Sequence, residues 1–102
     1  MAKIIMTFQY KTCATWIREK AVELTTLGFS VEIKENAAPV HSLFLKVASS
    51  NTDAELVVWE SGATSMIVLN LASKRCDLDR HNIVLVGNQY ERDLKVFFNL
   101  LK

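Results

Sequence analysis

The middle of this chain changes period, and that change constrains the fold more than any other feature. In "FSVEIKE", Phe29, Val31 and Ile33 alternate with Ser30, Glu32 and Lys34, the pattern of a half-exposed strand. After "NAAPVHS", which holds the only proline, "LFLKVAS" resumes the alternation, with Leu43, Leu45 and Val47 inward and Lys46 outward. "NTD" at residues 51–53 is turn material before "AELVVWE", and "SG" separates that run from "ATSMIVLNLAS". Two polar or glycine residues between apolar runs signal a tight hairpin, so these four runs predict an antiparallel meander.

Helical periodicity brackets the meander. From about Phe8 to Leu27, Cys13, Ile17, Ala21 and Leu24 recur at helical spacing, while Arg18, Glu19 and Glu23 fall off the stripe. Gly28 suits a left-handed helix stop, with Phe29 placed to touch Leu24. After a mixed-charge connector, "SKRCDLDRH", the short run "NIVLV" is a candidate fifth strand. Asn88 then opens a second helix, with Glu91 as its capping partner and Tyr90, Leu94, Phe97, Phe98 and Leu101 on its apolar face. The expected class is α+β: an antiparallel four- to five-stranded meander sheet flanked by an N-terminal and a C-terminal helix. Residues 1–102 form a single globular domain, with the helices covering one sheet face.

A chain of 102 residues, half of them apolar, buries roughly two thirds of the surface its unfolded form exposes, enough for a core without staples. Cys13 and Cys76 are therefore expected as buried free thiols in a reducing compartment rather than as a bridge. The opening "MAKIIMTFQYK" is too short in apolar run for a signal peptide, and no stretch approaches a membrane span, so cytoplasmic residence is expected. A net charge of +1 singles out neither nucleic acid nor an acidic partner.

"VVWESG" raises the functional question, because Val57, Val58 and Trp59 put apolar area on both faces of one strand. With a two-residue loop at Ser61 and Gly62, Trp59 pairs with Thr64. Ala54, Leu56, Val58, Ser65, Ile67, Leu69 and Leu71 then floor the helices. Glu55, Val57, Trp59, Thr64, Met66, Val68 and Asn70 form the second face, a composition common at partner-binding patches. Either that face meets a partner, or "NIVLV" or the amino-terminal "KIIM" folds over it; a one-residue slip would exchange the two faces.

No constellation of residues carries chemistry. Cys13, His41, Cys76 and His81 are scattered, and "CDLDRH" lacks the glycine and terminal glutamate of a calcium loop. No nucleophile elbow is present, three unclustered glycines make no phosphate cradle, and Asp77 and Asp79 interrupt the basic Lys74, Arg75 and Arg80. No metal, no cofactor and no direct nucleic-acid contact are expected. An enzyme acting through Cys76 and His81 stands only as a control hypothesis.

The segments "AVELTTLGFSVEIKEN" and "AELVVWESGATSMIVLNLAS" resemble the TriTu family of immunity proteins from bacterial contact-dependent growth inhibition systems. The likeness rests on Leu24 followed by "TTLGFSV" and on the unbroken Trp59, Glu60, Ser61 and Gly62, and it spans about Trp16 to Ala72. It implies a cytoplasmic antitoxin, not an enzyme, that neutralises one cognate toxin C-terminal nuclease domain. For this family that domain is a transfer-RNA-cleaving nuclease working with elongation factor Tu, a factor met only through the toxin. The family is usually acidic whereas this chain is near neutral, so recognition is expected to use an apolar patch with a few local acids.

The expected toxin contacts are Trp59 as apolar anchor, Val57, Met66 and Glu55 beside it, and Glu60 at the edge. Asp77 and Asp79 are expected to pair with basic groups used for RNA. The alternative is a small structural or regulatory subunit that self-associates through the Trp59 face.

Overall fold

The computed structural model describes residues 8–37 and 39–101. Helix α1 (Tyr10–Thr26) leads into strands β1 (Ser30–Asn36), β2 (Ser42–Ala48), β3 (Thr52–Trp59), β4 (Ala63–Asn70) and β5 (Arg75–Val84), and helix α2 (Tyr90–Leu100) follows. The sheet order is β1-β2-β3-β4-β5 with every pair antiparallel, the meander that the hairpin signals predict. No helix among the described residues is long and apolar enough to cross a membrane.

The expected stripe of α1 is the buried one: Cys13, Ile17, Ala21 and Leu24, joined by Ala14. Its stop is a Schellman motif. Gly28, at φ +99°, donates to Thr25 O and Phe29 donates to Leu24 O, both at 3.0 Å, which satisfies carbonyls the helix itself leaves open. Helix α2 buries Tyr90, Leu94, Phe97 and Phe98 as its periodicity predicts. Its start differs from the expected Asn88–Glu91 box: Gln89 is the N-cap, with no side-chain cap hydrogen bond.

Both helices lie on one sheet face. There Leu43, Leu45 and Val47 of β2, Ala54, Leu56 and Val58 of β3, and Met66 and Val68 of β4 are almost fully removed from water. Burying each larger aliphatic side chain stabilises by about 1.5–3 kcal/mol, so this layer is the main source of stability. Trp16 joins the helices, edge-on to Tyr90 at 5.6 Å and to Phe98 at 5.3 Å between ring centroids.

Two expectations are corrected. The mixed-charge connector is strand: β5 runs from Arg75 to Val84 and takes in "CDLDRH". It is an edge strand with only Leu78 buried, so hydrophobic alternation has almost nothing to mark. The β3–β4 loop is the second correction. Val58, not Trp59, pairs with Thr64, so Glu60, Ser61 and Gly62 all belong to the turn. Gly62 sits at φ +95°, a conformation that accommodates the extra residue and that side-chain-bearing residues rarely adopt.

Candidate partner-binding face

That single turn residue reverses β4. Thr64, Met66 and Val68 point into the core opposite Val58, Leu56 and Ala54, while Ser65, Ile67 and Leu69 point outward opposite Val57, Glu55 and Asp53. Met66, expected on the second face, is a core residue with 1% of its surface exposed. Thr64 is buried as well, with its hydroxyl donating to Gly62 O at 2.9 Å.

The outer face can be read row by row across the strands. Ser42 stands beside Trp59; Lys34, Phe44, Val57 and Ser65 form the next row; Glu32, Lys46, Glu55, Ile67 and Asp79 the next; and Ala48, Asp53, Leu69 and Cys76 the last. No helix packs over this face among the described residues, and "NIVLV" lies in β5 and the segment after it rather than across it. The other suggested cover, "KIIM", lies outside the described residues.

Phe44, Val57, Ile67 and Leu69 are half-buried, and Trp59 is 38% exposed at the end of β3. The two tryptophans thus divide the work: Trp16 packs helix on helix, and Trp59 faces outward. An apolar band of this kind, without a layer on top among the described residues, is the type of surface that marks interaction sites.

Charged groups of both signs border the band, with Lys34 on β1, Lys46 on β2 and carboxylates on β3 and β5. Glu55 and Asp53 flank it on β3, and Asp77 and Asp79 on β5. Asp79 Oδ1 lies 2.6 Å from His81 Nε2. Asp53 Oδ1 is shielded from solvent and has no hydrogen-bond partner among the described residues. Such an oxygen costs about 1–3 kcal/mol of lost hydration until a donor reaches it. Glu60, at the turn, is exposed, and its N–H donates to His41 O at 2.9 Å, tying the turn to the start of β2.

Of the expected contacts, Trp59, Glu55, Val57 and Asp79 therefore share the outer face, Glu60 and Asp77 stand at its margins, and Met66 does not belong. Phe44, Ile67, Leu69, Asp53 and His81 were missed. Phe44 has the same parity as Lys46 in "LFLKVAS", a signal that was available.

Cys76 and His81 are not brought together. Five residues apart along β5, they stand on the order of 15 Å from each other at strand rise. The Cys76 thiol donates to Leu78 O at 3.3 Å. Both cysteines are free, as expected, but only Cys13 is buried; Cys76 is exposed. Burial pushes the Cys13 thiol up to about 12. Comparison with known proteins finds no family model, no curated protein and no solved structure that matches the chain.

Proposed function

We propose that this chain is an immunity protein that binds and neutralises a cognate contact-dependent growth inhibition toxin domain, a transfer-RNA-cleaving nuclease, by steric occlusion. The observation that carries the reading is the outer sheet face, an apolar band of Phe44, Val57, Trp59, Ile67 and Leu69 beside Asp53, Glu55 and Asp79 over which no other element packs among the described residues. A nuclease that holds RNA presents lysines and arginines on its substrate surface, and a carboxylate-edged apolar face complements such a surface in both respects. Trp59 acts as the apolar anchor, the carboxylates orient the toxin, and the bound domain cannot reach transfer RNA or elongation factor Tu. Binding is sufficient for this task, so the chain performs no catalysis and needs no cofactor, and it works in the cytoplasm where the toxin acts.

A self-associating subunit that uses the same Trp59 face is the alternative. That face carries Lys34 and Lys46 as well as Asp53, Glu55 and Asp79, so its charges permit two copies to stack, and solution mass of the chain without toxin separates this reading from the first.

The test is a titration. The toxin domain encoded immediately upstream is incubated with elongation factor Tu and transfer RNA, and cleavage is followed as this protein is added. Cleavage that stops at one equivalent is the expected result. Undiminished cleavage, with no complex on a sizing column, sinks the reading.

A further inference from the structure

We propose that the outer edge of β1 is a self-pairing surface: two copies of the chain join β1 to β1 antiparallel about Ile33, extending the meander into one continuous sheet. The two edges of the sheet are built differently. Strand β5 carries two register irregularities, and Asn82 sits at φ +61°, features that twist an edge away from further pairing. Strand β1 has neither: Ser30 to Asn36 pairs with β2 in unbroken register, and among the described residues no strand occupies its other edge.

The sequence of that edge is complementary to itself. In an antiparallel pair centred on Ile33, Glu32 of one copy stands opposite Lys34 of the other, and Lys34 opposite Glu32. Both side chains lie on the outer face, 3.2 Å apart within one chain, and both are well exposed, so they are free to exchange partners across the junction. On the inner face Ile33 meets its own copy, and Val31 meets Glu35, which Arg18 already holds at 2.9 Å.

The helix layer supplies apolar area at the same edge. Val22 of α1 is 67% exposed and lines an apolar groove with Ala21, Val31 and Ile33. The two-fold axis of an antiparallel pair stands perpendicular to the sheet. Helix α1 of each copy therefore lies on the same side, and the two Val22 grooves face each other across the junction. The outer face is doubled and left open, so self-pairing goes beyond the toxin-binding reading and does not compete with it.

The experiment measures solution mass by light scattering on the full chain from about 1 µM to about 1 mM, the range of weak to moderate affinities. The expected species at the upper end has twice the 11.5 kDa mass of the chain. E32K and K34E each put like charges opposite one another at both symmetry-related pairs and are expected to weaken the dimer about tenfold or more. An equimolar mixture of the two variants restores opposite charges at both pairs and is expected to form the heterodimer, as is the double exchange E32K/K34E with itself. Circular dichroism confirms that these exposed substitutions leave the fold intact. A wild-type chain that stays monomeric throughout overturns the proposal. So does a dimer that survives both single variants, and one that dissolves instead on W59A belongs to the outer face.

Discussion

A Cβ placed on Gly62 would stand 2.5 Å from the carbonyl oxygen of Leu85, so the β3–β4 turn and the segment after β5 touch through bare backbone. The contact is sealed by a hydrogen bond from Leu85 N to Gly62 O at 2.9 Å. The "WESG" stretch is thereby a structural corner first: the Glu60 N–H binds His41 just before β2, Gly62 binds the chain beyond β5, and the Trp59 side chain faces out.

Gly62→Ala is expected to lower stability by roughly 2–4 kcal/mol, combining the cost of positive φ with displacement of a backbone that cannot yield cheaply. Gly28→Ala provides the comparison. Its φ is also positive, but nothing lies within 4 Å of the added carbon, so only the conformational cost of about 1–2 kcal/mol applies. Urea unfolding of both variants measures the difference, and equal losses would remove the Leu85 contact as a cause.

Trp59→Ala and Met66→Ala are expected to separate binding from folding. At an exposed strand end, Trp59→Ala should change stability by less than about 1 kcal/mol yet weaken toxin binding by about 2 kcal/mol or more, as for a central aromatic anchor. Met66→Ala, in the core, should lose about 2–5 kcal/mol of stability. Calorimetric titration alongside urea unfolding reads both. Unchanged affinity in a folded Trp59→Ala variant would remove Trp59 from the interface.

The carboxylates should act mainly on the rate of encounter. Asp79→Asn combined with Glu55→Gln is expected to slow toxin association at low salt and to flatten its salt dependence, with a smaller change in dissociation. Stopped-flow association at a series of salt concentrations is the measurement. An unaltered salt slope would mean that the toxin docks elsewhere.

The buried Cys13 thiol predicts a loss of stability in alkali. Its ionisation is pushed from 9.0 to about 12 by burial, so below pH 9 it is protonated in the folded and unfolded chain alike. Above pH 9 only the unfolded chain releases the proton, and stability falls as pH rises towards 12, by at most about 1.4 kcal/mol per pH unit. Tyr10 and Tyr90, both raised chiefly by burial, add a loss of the same sign at higher pH. Cys13→Ala should flatten the part of the slope that begins near pH 9; a slope that it leaves unchanged would assign the loss to other groups. A thiol reagent at neutral pH should modify exposed Cys76 in the native chain and reach Cys13 only on unfolding.

Local chemistry was legible wherever one face of an element is buried and the other is wet. Cys13, Ile17, Ala21 and Leu24 marked α1, and Leu43, Leu45 and Val47 marked the inner side of β2. Strand β5 escaped because its residues are exposed on both sides except at buried Leu78 and half-buried Ile83, which leaves charge without alternation. Phe44 escaped although its parity with Lys46 placed it outward, because a phenylalanine on an outer face is unexpected until nothing is seen to cover it.

The sequence by itself determined the element order, the helix stop at Gly28 and the composition of strands β1 to β4, because periodicity and cap geometry act within a few residues. Only the tertiary structure decided which of those strand residues form the candidate site. A two-residue and a three-residue turn differ by one position, and side chains alternate with a period of two, so one residue decides whether Met66 or Ile67 meets solvent. That decision rests on Gly62 docking against Leu85, a contact across 23 positions that no local pattern encodes.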